Sequence, residues 1–371
     1  MTENKRLLSL DVLRGLDLFL LVALQPVLRA ALIELDCEAL NETLLYQFDH
    51  AEWEGLRVWD LVMPLFLFMS GVTMPYSLPK YRTRNGDIKV WQRVVKRFAL
   101  LFTLGILVQG NILSLDPDRV YLYSNTLQAI AVGYLFTVPL VLYLKPSWQV
   151  VAIVALLMLY SVPMHWYGDW SAQDNWACII DKTVLGRFRD GSVVATDGSV
   201  LFAGWYDYTW LWSSITFCCT VALGSLAGQM TKNGNDNRQA TARNLLLVGV
   251  ALVVAGALAG LGQPIIKRIW TASFTLYSAG WCYLLLALFY WWIDVKGHTK
   301  GWSWLLCYGC NAITAYLIGE IVNFRSIAES LLHGTEQYVG GWYPVLLTAC
   351  NSLIVFFILR IMYRNRLFLK V

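Results

Sequence analysis

Residues 48–72, FDHAEWEGLRVWDLVMPLFLFMSGV, set one histidine among carboxylates and aromatic rings. They then run into an apolar segment with an aspartate, Asp60, about one turn inside it. An imidazole titrates near neutrality and can serve as base, acid or nucleophile. A carboxylate beside it orients the ring and stabilises its charged form. If residues 48–55 fold back over the start of the helix, Asp60 comes within hydrogen-bonding range of His50, and Asp49 is a second candidate for that role. The plainer alternative is a solvated loop histidine, with Trp53 and Gly55 shaping the turn into the helix. The residues alone leave both open.

Other polar groups interrupt apolar runs. Asp11, Arg14 and Asp17 fall in the first run, with Arg14 three residues from each aspartate, a spacing that lets it meet either on a helical face. Glu320 falls near the end of a late run. A charged group inside a membrane span costs about 2.5–3.5 kcal/mol on insertion scales, so each is a functional candidate or one side of a structural ion pair. The segment WQRVVKRF brings Arg93, Lys96 and Arg97 within about one helical turn. Arginine's planar fork suits phosphate oxygens, but the same residues also serve as an ordinary cytoplasmic anchor.

The elements that must position these residues are membrane helices. The chain has 371 residues, 57% hydrophobic and only 15% charged, with a mean hydropathy of +0.51, which excludes an ordinary soluble domain. Apolar runs of about 20 residues recur at 9–33, 56–79, 94–113, 121–144, 148–165, 208–230, 244–262, 272–293, 302–322 and 343–363. The fold class expected is an all-α integral membrane protein, a bundle of about ten transmembrane helices. The first run lacks the short apolar core and small-residue cleavage site of a signal peptide, so no removed leader is expected. With the N-terminus in the cytoplasm, 20 of the 29 Lys and Arg residues fall on the inner side, including Lys5, Arg6 and the block Lys80 to Arg97, against 8 outside. Both termini are therefore expected to be cytoplasmic, and His50 to face outward. The net charge of +4 reflects this topology and calls for no nucleic-acid partner.

No internal repeat, low-complexity tract or long linker divides the chain, which reads as a single membrane domain over 1–371. Its one long extramembrane segment, 166–207, is an outer insertion between helices five and six, rich in Trp, Tyr, Asp, Asn and Gly. That chemistry suits stacking on a sugar ring and equally suits a membrane-interface belt. Six of the eight cysteines lie in apolar runs, while Cys37 and Cys178 sit in outer loops where a disulfide is chemically permitted. Cys307 and Cys310 form a C-x-x-C inside an apolar run, a context of small packing residues, and no metal is expected.

The string His50-Ala51-Glu52-Trp53-Glu54-Gly55-Leu56-Arg57-Val58-Trp59-Asp60, running into LFLFMSG, resembles the signature of the heparan-α-glucosaminide N-acetyltransferase family and its bacterial relatives, which are transmembrane acyltransferases. SLDVLRGLDLFLLV resembles the family's first core helix, NTLQAIAVGYLF its helix-four motif and DNWACIIDKTVLG its outer loop. PIIKRIWTASFTLYSAGW resembles the start of helix eight, and CNAITAYLIGE the helix-nine motif. The chain lacks the extended lumenal N-terminal portion of the lysosomal enzyme, which implies a bacterial homologue in the cytoplasmic (inner) membrane.

The resemblance implies an acetyl group taken from cytosolic acetyl-CoA and delivered across the membrane to an amino sugar or glycan. The histidine of the family's His-x-x-Trp-x-Gly motif maps onto His50, held by Asp60. Arg14, Arg93, Arg97, Asn125 and Gln128 are expected at the coenzyme A donor, and Trp53, Asn311 and Glu320 at the acceptor. Asn125, Gln128 and Asn311 serve equally well as interhelical hydrogen-bonding groups. Expected partners are a small-molecule or glycan acceptor, membrane lipids and a second copy of the chain in a homodimer. His50 acts either as general base for direct attack or as a nucleophile that carries the acetyl group. The rival from another class is a secondary transporter of a sugar or peptidoglycan fragment, which needs intramembrane charges but no thioester. A catalytically inactive scaffold would have no need of His50 and Asp60 together.

Overall fold

A computed structural model describes residues 7–81, 87–116, 119–234 and 236–369. Lys5, Arg6, Arg82, Arg84 and Lys370, counted above on the inner side, lie outside the described residues. Among the described residues, eight helices are long and apolar enough to cross a membrane: α1 (Leu8–Leu35), α2 (Val58–Tyr81), α4 (Thr126–Tyr143), α5 (Pro146–Trp166), α7 (Ser214–Asn233), α8 (Arg238–Ala259), α9 (Ala272–Val295) and α12 (Glu336–Arg364). Between them lie α3 (Ile88–Gln109), α6 (Trp176–Leu185), α10 (Ser303–Cys310) and α11 (Ala312–Ile321).

The two expected runs that are not among the eight differ for identifiable reasons. Helix α3 begins inside the basic block and carries Lys89, Arg93, Lys96 and Arg97 in its first half, so its uninterrupted apolar part is short. The run 302–322 is broken into α10 and α11 at Asn311, whose backbone (φ −113°, ψ 35°) leaves the helical region.

The chain forms two compact units. The first comprises Met1–His50, Arg57–Val62 and Leu285–Lys370. Here α1 packs on α10 through facing glycines: a Cβ on Gly15 would sit 2.1 Å from the Leu305 carbonyl oxygen, and one on Gly309 2.0 Å from that of Asp11. Small residues at such a crossing let two membrane backbones approach closely. Val12, Ile293 and Leu305 form the buried cluster beside it, and the Phe19 ring meets Trp304 edge-on at 4.9 Å. A π-turn at Leu20–Leu24 widens α1 just before Pro26, relieving the clash that a proline ring makes with the carbonyl four residues back.

The second unit comprises Ala51–Leu56 and Met63–Leu284, with α7 packed against α4 and α5, and α3 against α4. The long segment between α5 and α7 is folded. It holds α6 and a hairpin in which β1 (Ser192–Val194) pairs antiparallel with β2 (Val200–Phe202), Val193 opposite Leu201. Arg189 lies fully buried beneath the hairpin and donates from Nη2 to the Tyr206 carbonyl at 3.1 Å. Cys37 and Cys178 are both free thiols.

Candidate active site

The histidine is delivered by the irregular segment after α1. Asp36 stops that helix in a left-handed conformation (φ 42°), and short helical turns carry the chain to Phe48. Gln25 on α1 donates from Nε2 to the Phe48 carbonyl at 3.2 Å. Arg29 meets Asp49 at 3.2 Å, a half-exposed pair of small energetic weight. Asp49 is thereby engaged with an arginine.

The first turn of α2, Val58–Leu61, is a 3₁₀ turn that packs on Tyr46–Phe48. The Val58 backbone N–H donates to Gln47 Oε1 at 3.2 Å. Asp60 does two things there. Its Oδ2 accepts the Arg57 backbone N–H at 3.1 Å, satisfying a donor that the helix start would otherwise strand. Its Oδ1 lies 2.8 Å from His50 Nδ1. The Asp60 side chain is 1% exposed and that of His50 42%. A buried carboxylate thus holds a solvent-reaching imidazole, with Trp59 tilted against the ring at 6.4 Å between centroids. With Nδ1–H donating to Asp60, the lone pair resides on Nε2, the tautomer that a general base or nucleophile requires.

Between these two segments the chain passes through the second unit. There Trp53 Nε1 donates to the Trp170 carbonyl at 2.8 Å. Glu54 pairs with Ile266, and the Gly55 N–H donates to the Ile265 carbonyl at 2.8 Å. Gly55 has φ +112°, which side chains other than glycine's rarely allow. The Trp and Gly of the His-x-x-Trp-x-Gly string thus both help fix the loop. Trp170 also packs edge-on against His165 at 5.1 Å, a contact that nothing in the sequence spacing announced.

The remaining expected residues are dispersed. Asn125 caps α4 by accepting the Leu127 N–H at 2.8 Å, and Gln128 completes the box by accepting the Ser124 and Asn125 N–H groups at 3.0 and 3.1 Å. Their amide nitrogens reach elsewhere: Asn125 Nδ2 donates to Gln109 Oε1 at the end of α3 at 3.0 Å, an interhelical hydrogen bond, and Gln128 Nε2 to the Leu122 carbonyl at 2.6 Å. Arg93 lies over the Tyr81 ring at 4.3 Å and Arg97 over Tyr134 at 4.2 Å, and Arg97 Nε is buried with no hydrogen-bond partner among the described residues. In the first unit, Asn311 donates from Nδ2 to the Cys307 carbonyl at 3.2 Å while its buried Oδ1 has no hydrogen-bond partner among the described residues. Both carboxylate oxygens of buried Asp17 likewise lack one among the described residues, so Arg14 does not pair with Asp17, although the spacing allows it. Glu320 stands exposed near the end of α11. Among the described residues no three His, Cys, Asp or Glu side chains converge as metal ligands.

Fold and site together define a polytopic helical membrane protein with a carboxylate-held histidine at the start of a span. Residues 6–172, which include that pair, match the family model described as heparan-alpha-glucosaminide N-acetyltransferase, catalytic. The chain is 24% identical to the human heparan-alpha-glucosaminide N-acetyltransferase, over 99% of this chain and 60% of that protein. It is 22% identical to the mouse protein of the same name, over 100% of this chain and 61% of that protein. It therefore spans about three fifths of the length of the curated relatives it matches. The similarity read from the motifs is found: this is a membrane protein resembling the heparan-α-glucosaminide N-acetyltransferases, a transferase family.

Proposed function

We propose that the protein is a transmembrane acyltransferase, a single catalytic domain with both termini in the cytoplasm, that moves an acetyl group from cytosolic acetyl-CoA to an amino sugar or glycan on the outer side. The observation that carries this is the 2.8 Å contact between His50 Nδ1 and buried Asp60 within the region matching the catalytic family model. In the direct route the acceptor amine forms a bond to the thioester carbonyl carbon as His50 Nε2 takes the amine proton. The C–S bond then breaks, and the imidazolium returns that proton to the leaving thiolate. Asp60 stabilises the imidazolium. In the covalent route Nε2 attacks the thioester carbon and the C–S bond breaks, releasing coenzyme A as thiolate. The amine then attacks the acetyl carbon, the bond to Nε2 breaks, and the proton the amine loses passes to the freed imidazole.

For the donor, Arg14, Arg93 and Arg97 supply cations to the phosphates of coenzyme A. The unpartnered Arg97 Nε supports that assignment, because a buried guanidinium donor favours an anionic acceptor. Asn125 and Gln128 act by fixing the start of α4. On the acceptor side Trp53 offers a face to a pyranose ring, with Asn311 and Glu320 as hydrogen-bonding groups.

Incubating the purified protein in nanodiscs with acetyl-CoA and a panel of amino sugars should yield N-acetylated product by mass spectrometry, and no product with any acceptor rejects the reading. The helix break at Asn311 favours the transporter as a second reading, since discontinuous membrane helices line many transport sites. Proteoliposomes that accumulate labelled amino sugar without acetyl-CoA would establish it.

A further inference from the structure

Arg57 belongs to the same short segment as Asp60, yet nothing above gives its side chain a task. Its backbone N–H is bonded to Asp60 Oδ2, so a single carboxylate ties Arg57 to His50. The guanidinium carbon lies 3.8 Å from the centroid of the Tyr46 ring, and Tyr46 is about half exposed. The neighbouring cation, Arg29, is neutralised by Asp49. Arg57 has no acidic partner among the described residues, and its Nε is buried without any hydrogen-bond acceptor.

A guanidinium stacked on an aromatic face keeps its in-plane N–H edge for a two-point contact with a carboxylate, phosphate or sulfate. Stacking also fixes the plane, so less side-chain freedom is lost when the anion arrives. A bare structural clamp would need only the ring contact, which an uncharged side chain can make. A cation carrying a donor with no acceptor among the described residues, on the residue whose backbone shares the Asp60 carboxylate with His50, is better accounted for by an anionic ligand.

We propose that Arg57 is a specificity-determining residue that binds an anionic substituent of the acceptor, so that the amine presented to His50 belongs to an acidic sugar. This rests on the acyltransferase reading above. An outer-leaflet lipid phosphate has the same chemistry, and the experiment separates the two.

Initial rates with acetyl-CoA are measured for glucosamine and for glucosamine 6-phosphate, in nanodiscs of phosphatidylcholine alone and of phosphatidylcholine with phosphatidylglycerol. The wild type should prefer the phosphorylated acceptor in kcat/KM, more so at low salt. Arg57→Gln should reduce that preference at least tenfold, mainly through KM, and remove its salt dependence. Arg57→Lys, which keeps the charge but not the planar fork, should fall between. Equal losses on both acceptors return Arg57 to a structural clamp on Tyr46. A variant whose acceptor preference is intact but whose response to phosphatidylglycerol has changed assigns the site to lipid. If the wild type acetylates neither sugar, thermal-shift binding of glucosamine 6-phosphate to wild type and Arg57→Gln still decides the matter: binding lost in the variant supports the anion site, and equal or absent binding overturns it.

Discussion

Asp60 and Asp181 are both buried carboxylates that close the start of a helix, and they differ in what they hold. Asp181 on α6 accepts the backbone N–H groups of Trp210 and Leu211 at 2.7 and 3.0 Å, just before α7. Both oxygens go to peptide donors. Burial pushes its pKa up to about 7, against the pull of those two donors and of Arg189. Asp60 gives one oxygen to a peptide N–H and the other to an imidazole that reaches solvent. The first arrangement can only hold a turn together. The second joins a buried acid to an imidazole that reaches solvent, the kind of pairing in which functional sites are sought.

His50→Ala should draw the largest contrast. It removes the proposed proton acceptor, so turnover should drop by about a thousandfold, while thermal stability and acetyl-CoA binding stay close to the wild type. Asp60→Asn should cost about a hundredfold in kcat, because an amide can orient the ring but cannot stabilise imidazolium. Donor affinity should change far less. Wild-type turnover in His50→Ala would reduce the Asp60 pair to the same status as the Asp181 cap.

Asp181 should act on stability through pH. Its folded-state pKa of about 7 lies above the ordinary 3.8, so the folded state holds the proton more tightly. Its contribution is fully present below the unfolded pKa and is lost as pH rises through the folded value. The melting temperature of the wild type should therefore decline across roughly pH 4 to 7 more steeply than that of Asp181→Asn, by a few degrees. Parallel curves for the two proteins would show that Asp181 does not titrate in this window.

The sequence was informative where the chemistry is local. Residues 48–60 showed the histidine, the acid and the turn between them, because Asp60 has to reach back only ten positions. Eight of the ten apolar runs coincide with helices long and apolar enough to cross a membrane, since a span of about 20 residues leaves a mark in composition alone. Two features escaped for opposite reasons. The break at Asn311 sits inside an uninterrupted apolar run with no Pro at the junction, so hydropathy could not see it. Asn125 and Gln128 read equally as cavity residues and as interhelical hydrogen-bonding groups, and Asn125 makes such a bond to Gln109; their N-cap and N3 spacing is also a capping-box signature that, given more weight, points to the start of α4. The role of Trp53 needed a partner 117 residues away, which no window around His50 contains.

That partner frames the smallest effect. The indole N–H of Trp53 anchors the loop after His50 to the segment following α5 through the Trp170 carbonyl, whereas its ring face is the surface proposed above for a sugar. Trp53→Phe keeps a ring and deletes the N–H, so it removes one hydrogen bond of about 0.5–1.5 kcal/mol and leaves a carbonyl to find water. If the anchor places His50, kcat/KM for the acceptor should fall by about three- to tenfold with acetyl-CoA affinity unchanged. Trp53→Ala should lose more, since it removes both anchor and face. A Phe variant at the wild-type rate beside a crippled Ala variant would assign Trp53 to ring contact alone. The hold on His50 would then come entirely from its own unit: Asp60, Gln25 on Phe48, and Gln47 on Val58.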